Sequence, residues 1–293
     1  ILGVRTDIAP DIYEQYIDAG AVHILAISGL HIGIITLLLT QMINIFIPTN
    51  RKKLKIGIIL IILLTYSLIT GLSASVLRAV LMFGAYSISS LSGNNKARFD
   101  SLILAAFILI LCKPTFLFDV GFQLSFLAVL SILIFFPVFN QYFFFENKYL
   151  NFFPNLIKVS ISAQIGIIPI SLYYFHQFPI LFFVSNLVVV PLLQPILIGG
   201  IIALCLGGLG ILPYPIIFVL EKLITLMNIL VAFIAHQEMF IIRNIPFTTP
   251  LLLSSLVIVL VLIIFVHYRK YKVLVALLVS VLLFQGVLFY HKY

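Results

Sequence analysis

One apolar stretch, HILAISGLHIGII (His23–Ile35), carries two imidazoles eight residues apart with Ser28 and Gly29 between them. An imidazole takes or gives a proton near neutral pH, ligates metals, or bonds across a helix interface. His23, Ile27 and His31 follow an i, i+4, i+8 pattern. On a straight helix both rings therefore drift only about 80° around the axis and share one side. Ser28 lies three residues before His31, within side-chain reach of it. A serine activated by that histidine would also need an oxyanion site, which the stretch does not supply. A metal centre would need carboxylate or thiolate ligands beside the histidines, and the segment has none. Two readings stand side by side: a helix lining a hydrated path, or a small-residue packing face (Gly29, Gly33) whose histidines bond to neighbouring helices.

Two further patches carry groups foreign to lipid. In TGLSASVLRAVLM (Thr70–Met82), Gly71, Ser73, Ser75 and Ala79 let other backbones approach closely, and Arg78 stands among them. A charge at mid-bilayer costs about 2.5–3.5 kcal/mol on insertion scales. Arg78 falls about 7–8 Å inside its apolar run at helical rise, so snorkelling to the outer interface is its alternative. In FDVGFQLSFLAVLS (Phe118–Ser131), Asp119 and Gln123 are four apart and share a face. Asp119 opens its run, where a carboxylate suits the helix dipole. It reads either as an N-cap or as the partner of Arg78 across the helices. Farther on, Gln164 and Pro169, then Asn186, Pro191 and Pro195, interrupt long apolar runs. Proline removes a backbone donor, and breaks at membrane depth survive where protein or a water-filled cavity satisfies the backbone. Helix breaks are expected at Gly29, Gly71, Pro169, Pro191 and Pro195; simple kinks are the alternative.

The elements that position these groups follow from composition. Of the 293 residues, 63% are hydrophobic and 9% charged, and the mean hydropathy is +1.25. Soluble domains carry about 25% charged residues, so a water-facing globular fold is excluded and the fold class is all-α, a polytopic transmembrane helical bundle. Runs of about 20 apolar residues cross the hydrocarbon core. About ten occur, near 22–47, 54–71, 74–92, 99–115, 118–139, 155–175, 180–206, 211–235, 249–267 and 272–290, arranged around a pore. The aromatic-rich segment 143–153 reads as interfacial. No long polar linker divides residues 1–293, so one integral-membrane domain is expected. The chain starts at Ile1 rather than Met, as a piece of a longer protein would, and no cleavable signal peptide is visible.

The formal charge is +8. With ten alternating spans, eleven of the 17 Lys and Arg residues fall on one side; the positive-inside rule makes that side cytoplasmic and places both termini outside. His23, Ser28, His31, Arg78, Asp119 and Gln123 then share the outer halves of their helices, and Ser75 is a further candidate. A common depth suits an outer vestibule, to which Gln164 and Asn186 are added as candidates. Cys112 and Cys205 are far apart and read as small packing residues. No metal site and no cofactor is expected.

Three of these patches, in this order, resemble the membrane domain of ComEC-type competence proteins. The matching residues are His23-Ile-Leu-Ala-Ile-Ser-Gly-Leu-His31, then Gly71 with Ser75, Arg78-Ala79 and Met82, then Asp119-Val-Gly-Phe-Gln-Leu-Ser125-Phe. Weaker echoes are Ala163-Gln164 with Pro169, and Asn186 followed by Pro191; the likeness covers roughly Gly3 to His267. The resemblance implies a channel of the bacterial cytoplasmic membrane that passes single-stranded DNA inward during natural transformation. It further implies an extracytoplasmic DNA receptor and a cytoplasmic helicase-like ATPase as partners, and leaves association into a homo-oligomer open. No GxxxxGK[ST] occurs, so the motor is expected elsewhere. Full-length relatives also carry an OB-like domain before this region and a metallo-β-lactamase-like nuclease domain after it. No HxHxDH cluster is present, so no enzymatic activity is expected of this chain. A small-molecule or ion transporter is the alternative function, and an intramembrane serine hydrolase built on Ser28 and His31 is a further one.

Overall fold

A computed structural model describes residues 8–25, 27–48, 50–72, 74–91, 97–142, 151–211 and 213–292. Among these the chain forms twelve α-helices: α1 (Pro10–Asp18), α2 (Val22–Leu25), α3 (Gly29–Phe46), α4 (Lys52–Ile69), α5 (Ala74–Leu91), α6 (Ala97–Cys112), α7 (Val120–Tyr142), α8 (Phe152–Phe175), α9 (Phe182–Gly208), α10 (Tyr214–Ala235), α11 (Thr249–Tyr268) and α12 (Tyr271–Lys292). Short 3-10 turns at Pro114–Phe118 and Glu238–Phe240 join helices. A two-residue antiparallel ladder pairs β1 (Phe178–Pro179) with β2 (Ile241–Ile242). The protein is all-α.

Each apolar run read from the sequence contains one long helix, the first (22–47) being divided into α2 and α3. Seven of them (α3 and α7 to α12) are long and apolar enough to cross a membrane. Of the other three, among the described residues, α4 carries Lys52, Lys53 and Lys55 in its first turn, α5 is a shorter apolar helix over Ser75–Leu91, and α6 has 16 residues. Among the described residues, length and composition thus support seven of the ten expected crossings. Exposed apolar stripes run along the helices, as Leu253, Val257 and Leu260 do on α11 and Val275, Leu278 and Leu282 on α12. In water such stripes would drive aggregation; in a bilayer they are solvated by lipid. Cys112 and Cys205 are exposed free thiols, which corrects their reading as packing residues.

The stretch read as one membrane domain packs as two compact units: Ile1–Phe122 with Leu181–Phe240, and Gln123–Ile180 with Ile241–Tyr293. In the first unit, α3 stands between two apolar cores. Its Ile34 joins Tyr16, Ala19, Ile24, Val189, Leu193, Met227 and Val231 from α1, α2, α9, α10 and the link after α1. Its Ile32 joins Ile27, Ile59, Leu63, Val76 and Val80 from the α2–α3 link, α4 and α5. In the second unit, α8 lies so close to α7 that a Cβ at Gly166 would overlap Ser131 Oγ and stand 3.2 Å from the Leu127 carbonyl. Small residues make such approaches available in membranes.

One device occurs in both units. Lys55 of α4 donates to Asn44 Oδ1, two residues before the end of α3. Lys158 of α8 donates to Asn140 Oδ1 at 2.8 Å, two residues before the end of α7. Both lysines are buried. Each ammonium thus lies near the C-terminal end of the preceding helix, where the dipole favours a cation.

The expected breaks at the prolines do not occur. α8 runs continuously through Pro169, and α9 through Pro191 and Pro195. Each proline removes a single donor from a long ladder. Unwinding further would expose more backbone groups to hydrocarbon at several kcal/mol each, so the helix continues. Gly71, by contrast, stands in the turn between α4 and α5 with φ +72, a conformation open to glycine at no steric cost.

Candidate functional site

The site begins where α2 ends. α2 ends at Leu25, Ile27 and Ser28 are not helical, and α3 starts at Gly29, so the break expected at Gly29 lies just before it. His23 and His31 therefore do not share one straight helix: His23 is exposed on the four-residue α2, and His31 is buried in the first turn of α3. Ser28 takes an extended conformation (φ −114, ψ 171) as the N-cap. Its backbone N–H donates to His31 Nδ1 at 3.2 Å, and its Oγ lies 2.9 Å from the same nitrogen. A backbone N–H can only donate, so Nδ1 carries a lone pair. The ring proton of the neutral imidazole is then on Nε2, and the Ser28 hydroxyl donates to Nδ1 as well. His31 fills the place that Glu or Gln holds in an ordinary capping box. The Ser28–His31 distance is that of a nucleophile–base pair, but the hydrogen bonds are accounted for by capping.

An interrupted helix frees carbonyls, and in lipid each must find a donor. Ser75 of α5 donates to the Ile27 carbonyl at 2.6 Å. Ser185 of α9 donates to the Ala19 carbonyl at 2.6 Å, and Tyr16 of α1 to Asn228 Oδ1 of α10 at 2.8 Å. Burial pushes the Tyr16 phenol up to about 12, so it remains a donor across the physiological range. Together these bonds tie α1 and the break to α5, α9 and α10. Gly29 comes close to α5, 4.0 Å from Ala79 Cβ to an added Cβ, whereas nothing lies within 4 Å of one at Gly33. The two glycines therefore do not form one packing face.

Arg78 lies one turn along α5 from Ser75. It is 5% exposed, so it does not snorkel. Its Nη1 is 4.0 Å from Asp119 Oδ1, and its Nε and Nη1 have no hydrogen-bond partner among the described residues. Asp119 Oδ1 accepts the Phe122 N–H at 2.7 Å. The carboxylate is thus both the cap of α7 and the anion facing Arg78. Gly121 supplies the room: a Cβ there would lie 3.8 Å from both Nη1 and Nη2 and 3.2 Å from Asp119 Oδ1.

Ser28, His31, Ser75, Arg78 and Asp119 are thus linked through neighbouring elements of the first unit. Asn186 belongs to the same unit, half-buried on α9; Gln123 and Gln164 belong to the second, half-buried on α7 and α8. The sequence reading missed Gly121, Tyr16, Ser185 and Asn228. A glycine two residues after a capping aspartate was the one available signal of a crowded helix start. Tyr16, Ser185 and Asn228 lack a local signature because their contacts join segments more than 160 residues apart.

These features define a multi-pass membrane protein whose polar groups gather at helix ends and interruptions. The family described as competence protein matches residues 1–285, and the chain belongs to it. ComE operon protein 3 of Bacillus subtilis (strain 168) is 36% identical over 202 residues, which is 69% of this chain and 25% of that relative. Uncharacterized protein YcaI of Escherichia coli (strain K12) is 25% identical over 207 residues, 69% of this chain and 28% of that protein. The matched region therefore spans about a quarter of the length of these relatives. No solved structure matches the chain.

Proposed function

We propose that this chain forms the passage by which a single DNA strand crosses the bacterial cytoplasmic membrane during natural transformation. The observation that carries the reading is family membership over residues 1–285. It is supported by a polar cluster at an interrupted helix among helices that otherwise face lipid, the setting in which membrane proteins place conducted or bound solutes. The strand enters from the extracytoplasmic side, where an extracytoplasmic receptor delivers it, and a helicase-like ATPase on the cytoplasmic side draws it in. Both termini lie outside the cytoplasm, and strand cleavage belongs to other domains or proteins. A sparse polar lining suits transit, because conduction requires binding weak enough to release.

Purified protein in lipid vesicles tests the reading with a fluorescent oligo-dT of 20 nucleotides outside and a nuclease-insensitive signal inside. Protein-dependent entry of the oligonucleotide is expected, with entry lowered by Arg78→Ala and more so by Arg78→Glu at equal amounts of protein. Vesicles that admit small ions or metabolites but exclude the oligonucleotide would overturn the channel in favour of a transporter, whose intramembrane Arg78 and Asp119 would serve a solute instead.

A further inference from the structure

Behind the N-terminus of α7 lies a cation short of acceptors. Arg78 is 5% exposed and its Nε and Nη1 are unpartnered among the described residues. The nearest carboxylate oxygen, Asp119 Oδ1, stands at 4.0 Å and already accepts the Phe122 N–H. A guanidinium presents its donors as a rigid planar fork suited to two oxygens of one anion. Leaving such donors buried and unpaired is costly, so folded chains seldom do it without a use. The direction in which the fork points is also informative. Nη1 and Nη2 lie 3.8 Å from the position of a Cβ on Gly121, in the first turn of α7. That turn carries the positive end of a 23-residue helix. Repulsion alone would keep a guanidinium away from it. Two positive features therefore converge with one carboxylate between them. Gly121 is exposed and the Asp119 side chain is 47% exposed. The approach from outside thus crosses bare glycine backbone directly in front of the buried fork.

We propose that this is an oxyanion site. A phosphate group approaches over Gly121 and is held in bidentate fashion by Nη1 and Nη2 of Arg78, the edge that faces Gly121, with the dipole of α7 adding to the attraction. The Asp119 carboxylate, which otherwise stands in as the anion, swings outward and is replaced. Gly121 is required because any side chain there would occupy the approach. The ligand chemistry is a phosphate mono- or diester, from the backbone of a nucleic-acid strand or from a phospholipid headgroup. The strand as source rests on the channel reading above; the site itself does not.

The test titrates inorganic phosphate into the full chain in a neutral detergent at constant ionic strength, with chloride as the control, and measures binding by calorimetry. Saturable binding is expected. Arg78→Lys should weaken it about tenfold, because a point charge replaces the fork, and Arg78→Gln should remove it. Asp119→Asn, which keeps a capping side chain, should tighten binding by about threefold or more, because the competing charge is gone. Gly121→Val should block binding while leaving Arg78 in place, so the proposal stays testable if Arg78→Gln fails to fold. Absence of saturable phosphate binding, or weaker binding in Asp119→Asn, would overturn it. Competition then separates the sources in lipid nanodiscs of phosphatidylcholine or phosphatidylglycerol. Oligo-dT displacing phosphate in the neutral discs identifies a strand, and phosphatidylglycerol alone displacing it identifies a headgroup. Phosphate binding without oligonucleotide entry into vesicles would strike the channel reading alone; entry without phosphate binding would strike this site alone.

Discussion

The two units draw on the same apolar alphabet, and both hold hydroxyls that bond back within their own helices, as Ser67, Ser90 and Thr225 do in the first; the first unit differs in adding serines that reach across. In the first, Ser75 and Ser185 reach across to carbonyls of other elements, Ile27 and Ala19. In the second, Ser162, Ser254, Ser255 and Ser280 bond back to carbonyls three or four residues earlier in their own helices. A back-bonded serine adds nothing between helices, so the second unit joins its helices by shape, as where Gly166 meets Ser131, and by a long polar side chain, as where Lys158 meets Asn140. A cross-bonded serine holds irregular backbone that lipid would not tolerate alone. The first unit can therefore keep an interrupted helix beside Ser75, one turn from Arg78, while both units carry helices that run whole through proline, α9 through Pro191 and Pro195 and α8 through Pro169.

The largest effect should come from the second unit's shape. Gly166→Ala is expected to destabilise the protein by about 1–3 kcal/mol through overpacking, read as a drop in thermal midpoint in detergent. Adding Ser131→Ala should recover part of that loss; purely additive effects would break the shape account. Next, Ser75→Ala should cost about 1 kcal/mol by leaving the Ile27 carbonyl without its donor. It should also raise hydrogen exchange around residues 27–31. Ser280→Ala, its counterpart in the second unit, should stay within about 0.5 kcal/mol; equal costs for the two serines would erase the contrast. The smallest effect is expected at Gly33→Ala, within about 0.5 kcal/mol, because open space surrounds that position. A large loss there would restore the Gly29–Gly33 packing face that the structure does not show.

The positions of the long helices were legible because apolar runs of this length have few other uses. Arg78 and Asp119 were legible as a possible pair because charges in such runs are rare and must be accommodated. The break before Gly29 was harder to place. HILAISGLHIGII keeps helical spacing across it, and a capping box closed by histidine at the third helical position does not follow the Ser-x-x-Glu pattern. The prolines misled in the other direction: a single lost donor looks like a break in sequence, and a long helix absorbs it. Gly121 carried only the weak signal of its place two residues after Asp119, because its role depends on the Arg78 guanidinium of α5, which lies 3.8 Å from where a Cβ would stand.

The buried lysines of α4 and α8 add a consequence for biogenesis. Positive side chains beside hydrophobic segments bias how a nascent chain enters a bilayer, and Lys55 and Lys158 stand beside such segments in the sequence. In the finished protein neither is a loop charge: each is enclosed and tied to the helix that precedes it. The address label is consumed in assembly. Carrying an ammonium group through hydrocarbon is costly, so the same two residues bear on how the chain inserts and on how its helices pack.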